Sequence, residues 1–182
     1  MTPPGAVSPF VRPEVAGVAV ERGLAVICRP VASPEEVALH YEIRRRVFVV
    51  EQGVFPFSDR DPHDGVAETV RVLGLCGEVA GGAVRLYPLS PDEAGGEERI
   101  WKGDRLAVLP PFRGGAVKGG MGGPLVRFAV RTAGELGGRR MVAHIQPANV
   151  TFFEHLGWRT VGGLVGYAGQ PHQMMAIDLS PG

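Results

Sequence analysis

Between Pro110 and Leu136 the chain packs six glycines into the stretch from Arg113 to Leu125, PFRGGAVKGGMGGPL in context. A short apolar run, Leu106-Ala107-Val108, comes just before it and reads as the end of a strand. Leu125, Phe128, Ala129, Thr132, Ala133 and Leu136 follow at spacings of three and four, the stripe of an amphipathic helix. Strand, glycine loop and helix in that order can hold an anion. A helix leaves its first N–H groups unpaired and carries partial positive charge at that end. Glycine lets that backbone come close, because no Cβ intervenes. In a chain with 27 glycines a plain surface loop is the alternative reading. The abrupt change from glycine to apolar stripe favours the anion site.

Two familiar nucleotide loops do not fit. Gly114 to Gly119 and Gly115 to Gly120 have the P-loop interval, but Gly120 or Met121 stands where lysine is required. Gly120-x-Gly122 is followed by Leu125 at the third glycine of a dinucleotide fingerprint, far from any first strand.

Composition narrows the remaining classes. The 182 residues suit one domain with its own core. Residues 1–22 are rich in Pro, Gly and Val and read as a loosely ordered arm, with residues 23–182 as the single domain. Apolar stretches are broken well short of a bilayer's thickness, and the N-terminus lacks a basic region followed by an apolar core. Neither a membrane span nor a signal peptide is expected. Cys28 and Cys76 lie in strand-like runs without metal spacing, as reduced core residues of a cytoplasmic protein would. Basic and acidic residues balance at 19 each, which offers nucleic acid or an anionic membrane no overall field. A small-molecule partner is the natural expectation.

The pattern along the chain predicts strands over 24–31, 69–76, 79–86, 100–108 and 140–146, with two more near 159–167 and 173–179. Ser33-Pro34-Glu35-Glu36 reads as a capping box opening a helix that turns Val37, Tyr41, Ile43, Val47 and Phe48 inward. Arg44-Arg45-Arg46 interrupts that helix with charge, at least one of the three as a solvated face. Gly137-Gly138 closes the second helix, and a short third one spans 149–156. Early hairpins, a strand–helix–strand unit and trailing strands predict an α/β (α+β) domain, a mixed central sheet of about seven strands flanked by helices.

Glu51, Asp59, Asp61, His63 and Asp64 fall within fourteen residues. Such a run can bind a cationic amine, or form turns in which Asp bonds its own backbone. It lacks the fixed positions of a calcium loop, and no metal is expected.

Several strings in this order resemble the GNAT acyltransferase superfamily. Val117 to Leu125 is similar to its coenzyme A pyrophosphate loop, although Val117 replaces the usual leading Arg or Gln. VFVVEQ followed by D-x-D-x-x-D, with Arg44 three residues before Val47, resembles the ElaA-like branch. Gln146 followed by Phe152-Phe153-Glu154-His155-Leu156-Gly157-Trp158 is similar to the stretch after the family's fifth strand. AHIQPANVTFFEHLGW with the PHQMMAIDL ending looks like the nitrogen-starvation N-acetyltransferases.

The resemblance, which covers Leu24 to Leu179, implies a GNAT-like acyl-CoA N-acyltransferase fold and transfer of an acetyl group from acetyl-CoA to a small-molecule amine. Coenzyme A would lie where the fourth and fifth strands part, paired with Ala107, Val108 and Leu109. An N–H there would polarise the thioester carbonyl. Lys118, Gly119, Gly120, Met121, Gly122 and Gly123 would hold the pyrophosphate, with Asn149 and Phe152 completing the donor site. The general base would be Glu51, then His172, then His144. Two have a structural alternative: for Glu51, a helix-end carboxylate paired with the arginine triplet; for His172, an edge-strand histidine bonded to backbone. Asp59, Asp61 and Asp64 would face a cationic acceptor. Edge strands in such folds pair across homodimers. Phe153 departs from the family, since tyrosine commonly stands there to protonate the leaving thiolate. An acyl-homoserine-lactone-synthase-like enzyme and a coenzyme A-sensing module are the competing readings.

Overall fold

Seven strands form one sheet in the order β1-β2-β3-β4-β5-β7-β6. They are β1 (Val26–Pro30), β2 (Val70–Cys76), β3 (Val79–Pro88), β4 (Ile100–Val108), β5 (Arg140–Ile145), β6 (Arg159–Tyr167) and β7 (Gln170–Asp178). This computed structural model describes residues 25–114 and 119–179; the proposed arm at 1–22 lies outside them. Every neighbouring pair is antiparallel except β4 and β5, which makes the sheet mixed, as the sequence pattern predicts. A parallel pair needs a crossover, and helix α2 (Gly122–Glu135) supplies it.

That pair is short. Its register holds only at Ile100↔Arg140, Trp101↔Met141 and Lys102↔Val142, after which the strands part. On its other side β4 carries an extra residue: Ala83 faces Ala107, but Arg85 faces Asp104. Arg105 sits in this bulge with φ +52°, a left-handed backbone that a non-glycine residue seldom adopts. A bulge bends its strand and increases the local twist, which carries the end of β4 away from β5.

Helix α1 (Pro34–Arg44) starts as read, with Ser33 Oγ accepting from the Glu36 N–H at 3.2 Å. The capping box is only half formed. Glu36 turns its carboxylate to the Ala32 N–H and to Arg29, 2.6 Å away, and Arg29 holds its pKa down to about 2. The helix then widens into a π-helical segment, Arg45–Glu51, which spacing alone does not predict. Ile43 and Val47 point inward as expected, while Val37, Tyr41 and Phe48 are half-buried. The arginine triplet divides: Arg45 and Arg46 form the solvated face, both paired with Glu42, and Arg44 is fully buried.

The two main helices pack on opposite faces of the sheet. Gly74 and Gly82 are cross-strand partners, and a Cβ on Gly82 would meet Leu125 and Met121 of the α2 region within 2.8 Å. Arg85 lies three residues beyond Gly82 on β3, so it faces the other way, where α1 brings Arg44. Lys102 and Asp104 pair with Tyr87 and Arg85 and share this α1 face. Helix α3 (Val150–His155) follows β5, and its Phe153 packs edge-on against Trp158.

Candidate active site

Helix α2 begins at Met121 with no side-chain cap, so its first-turn N–H groups depend on something else for partners. Gly119 and Gly120 precede it with φ +78° and +71°, which glycine adopts without strain. A Cβ on Gly120 would lie 3.1 Å from the Arg113 carbonyl, so the loop closes tightly on its own start. The Gly122 and Gly123 N–H groups have no hydrogen-bond partner among the described residues. Phe152, 39% exposed, stands beside this helix end, with its ring tip 3.5 Å from where a Gly122 Cβ would be. Met121 is wholly buried and holds the loop to the sheet. Lys118 lies outside the described residues.

On the open side of β4 the backbone is partly available. The Leu109 N–H donates to Gly81 at 2.8 Å, so the pair Gly81 and Leu109 is hydrogen-bonded. The next pair, Gly82 and Val108, therefore turns its groups outward. Val108 accordingly points its N–H and C=O into the gap, where its carbonyl accepts from Arg113 Nε at 2.7 Å. Of the three residues expected to pair with pantetheine, Val108 offers a donor there. Leu109 has spent its N–H on β3, and Ala107 belongs to a pair whose groups bond β3.

The gap between β4 and β5 opens into a cavity of about 140 Å³ that runs through the sheet. Val126, Ala129 and Phe153 wall it on the α2 side. Lys102, His144, Tyr167 and His172 converge with Phe48 and Phe55 on the other. Tyr167 organises this end: His144 stacks on it at 4.5 Å, His172 meets it edge-on at 5.3 Å, and Lys102 Nζ lies 5.0 Å from its ring centre. The Tyr167 hydroxyl oxygen accepts from Arg105 Nη1 at 2.9 Å, which leaves its own proton free to donate.

His172 is 4% exposed, and its Nδ1 lies 3.0 Å from the Gln170 carbonyl. A carbonyl can only accept, so Nδ1 carries the proton and Nε2 presents a lone pair. Burial, then the charge of Lys102, pushes His144 down to about 4, so it is neutral near pH 7 and a weak base. Glu51 sits elsewhere. It ends the π-helical segment 38% exposed, is not among the cavity's lining residues, and is gripped by Arg113 at 2.6 and 2.7 Å. That bidentate pair lowers its pKa and occupies both oxygens. The alternative of a helix-end carboxylate bound to arginine describes it, although the partner is Arg113 and not one of the triplet.

The acidic run also has its partners within the fold. Asp59 and Asp64 are 3% and 7% exposed and bind Arg44 at 2.6 and 2.7 Å. Asp61 caps a short helical turn, accepting from the His63 N–H, and binds Arg85 and Arg105 at 2.7 and 3.0 Å. Asp104 takes the rest of Arg85 and the Tyr87 hydroxyl. Burial alone would raise Asp64, but Arg44 and Arg85 outweigh it and hold the group well below the usual carboxylate range. None of the three expected acceptor aspartates lines the cavity. The reading of self-bonded turns fits Asp61, and ion pairing with buried arginine accounts for the others.

Of the expected site residues, then, the cavity gathers His144, His172 and Asn149, and the helix end gathers Gly119 to Gly123 with Phe152. Sequence reasoning missed Lys102, Arg105, Arg113 and Tyr167. One signal for Lys102 was present: all but two of the 19 basic residues are arginine, and the two lysines, 102 and 118, fall on the fourth strand and in the glycine loop.

No protein-family model matches the chain, and no curated protein matches its sequence. Solved structures do share its architecture. A protein from Lactobacillus plantarum described as a candidate N-acetyltransferase superposes with a TM-score of 0.71 at 23% identity, over 86% of this chain and 99% of that one. Escherichia coli ElaA gives 0.67 at 21% identity, over 84% and 98%. BjaI, a coenzyme A-dependent acyl-homoserine lactone synthase solved with SAM and isopentyl-CoA, gives 0.66 at 20%, over 87% and 84%. The fold is that of the GNAT acyl-CoA N-acyltransferases.

Proposed function

We propose that this protein is an acetyl-CoA-dependent N-acetyltransferase acting on a small-molecule amine. One observation carries the reading. An uncapped helix end behind a glycine turn lies on one face of the sheet, a cavity with a proton acceptor lies on the other, and the two connect where β4 leaves β5. The coenzyme's pyrophosphate would take the free N–H groups at Gly122 and Gly123, and its thioester arm would enter the gap. The Val108 N–H would then polarise the thioester carbonyl.

His172, not Glu51, is the base this geometry supports. Its Nε2 accepts the proton that the amine sheds as nitrogen attacks the thioester carbon. The carbon–sulfur bond breaks and the thiolate leaves. Tyr167 carries a proton to give it, a role that Phe153 has no group to fill. The strings shared with the nitrogen-starvation N-acetyltransferases support that branch, and the free thiols of Cys28 and Cys76 support a cytoplasmic setting. The exposed Val161, Leu164 and Val165 of edge strand β6 support a homodimer.

Isothermal titration with acetyl-CoA and free coenzyme A, beside Gly122→Glu, tests the donor site. Gly122 is helical with only Phe152 nearby, and a carboxylate there favours the helix end, so the variant should fold. Binding in the wild type and its loss in the variant supports the site; no binding of either ligand overturns it. Free-thiol release across an amine panel then separates a transferase from a coenzyme A sensor, which binds and releases nothing. The BjaI likeness makes longer acyl-CoA donors the comparison for acetyl specificity.

A further inference from the structure

We propose that the acceptor is an amino acid, held by its carboxylate on Lys102. The inference rests on the transferase reading and names its substrate class. A polycationic acceptor would need carboxylates, and the cavity has none to spare. Asp104, the acid among its lining residues, is committed to Arg85 and Tyr87. Asp59, Asp61 and Asp64 are spent on Arg44, Arg85 and Arg105.

Lys102 is the opposite case. It lines the cavity half-buried, and no carboxylate lies within 4.0 Å of it among the described residues. Its ammonium lies 5.0 Å from the centre of the Tyr167 ring, and the carboxylate that feels its charge from farther off, Glu93, is exposed and already bonded to Ser90 and His63. Its field reaches the site: after burial, it is the largest influence holding His144 neutral, ahead of the opposing effect of Asp104. A half-buried cation with no carboxylate in direct contact is short of solvation, and an anionic ligand restores it. The same field opposes a protonated amine nearby, which favours the neutral form that attacks a thioester.

The spacing suits one small molecule. Lys102 and His172 flank the same Tyr167 ring, at 5.0 and 5.3 Å from its centre. Bordering one ring puts both within reach of one small molecule, and an amino acid, whose nitrogen and carboxyl carbon lie about 2.5 Å apart, would turn its amine toward His172 and its carboxylate toward Lys102. The walls left for its side chain are Phe48, Phe55 and Val54. They suit an uncharged one.

The test titrates L-leucine, L-methionine, L-phenylalanine and the remaining standard L-amino acids into coenzyme A-saturated protein. Each is compared with its amide, which keeps the amine and removes the charge. Acetyl transfer is read in parallel by thiol release. At least one uncharged amino acid should bind about ten- to a hundredfold more tightly than its amide. Lys102→Met should erase that preference through binding or KM, and Lys102→Arg should keep most of it. Equal use of acid and amide, a preference that survives Lys102→Met, or no binding of any amino acid overturns the proposal. Acetylation of simple amines with no preference for acids would sink this inference and leave the transferase standing. Coenzyme A binding without thiol release, alongside Lys102-dependent amino-acid binding, would do the reverse.

Discussion

The acidic run from Asp59 to Asp64 and the glycine run from Gly119 to Gly123 lie on the two sides of the same sheet and behave in opposite ways. The first is dense in charge and turns its carboxylates inward, the three shared among Arg44, Arg85 and Arg105. The second carries no charge and leaves donors open at the start of α2. Ionisable residues crowded in sequence are thus a poor guide to where chemistry happens. A buried carboxylate without a partner is costly, so a fold that buries several must also bury their counter-ions. A helix N-terminus costs little to leave open while water can reach it, and so it can wait for a ligand.

Arg44→Met probes this contrast most severely. It strips the buried pair from Asp59 and Asp64 and should cost about 3–5 kcal/mol of stability in urea unfolding. Gly122→Glu should change stability by less than about 1 kcal/mol while abolishing coenzyme A binding. Comparable stability losses in both variants would erase the distinction.

His172→Ala should lower kcat by about 10²–10⁴-fold with coenzyme A affinity retained. A kcat within a few-fold of wild type would return the role of base to another group.

Acid should weaken the fold in a definite window. Burial holds His40 down to about 3, and burial with Lys102 holds His144 down to about 4. The unfolded chain therefore binds these protons first, from about pH 6.5. Stability is complete above that pH and declines as pH falls toward the folded values. Asp64, also depressed, adds a loss below about pH 4. The urea midpoint should drop between pH 7.5 and 4.5, and His144→Phe should flatten part of that slope.

The smallest effect is expected at the residue that sequence favoured most. Glu51→Gln should leave kcat within about threefold, because Arg113 already holds its carboxylate away from the cavity. A loss as large as that of His172→Ala would mean the pair opens during turnover.

Much of the architecture was legible. Strand periodicity, the Ser33 cap, the early hairpin of strands 69–76 and 79–86 and the glycine-to-stripe boundary before α2 all rest on neighbours in the chain, where spacing is geometry. Those signals gave the seven strands and placed the glycine loop ahead of α2, and the pattern of resembling strings carried the fold. His144, His172 and Asn149 were singled out and do meet at the cavity. The π-helical segment was not legible, since apolar spacing over seven residues does not separate a widened turn from an ordinary helical one.

Partner choice was decided only in three dimensions. Glu51 meets Arg113 across 62 residues, Arg105 meets Tyr167 across the same interval, and Asp61 meets Arg85 across 24. Whether a charge is spent or free depends on what lies within a few ångströms, and the strength of that interaction depends on burial. Neither is a property of sequence spacing. So the chain by itself determined the sheet, the crossover helix and the uncapped glycine turn. The bulge at Arg105 and the pairing of distant charges decided that the aspartates close the fold and that Lys102, with no carboxylate within 4.0 Å among the described residues, lines the cavity.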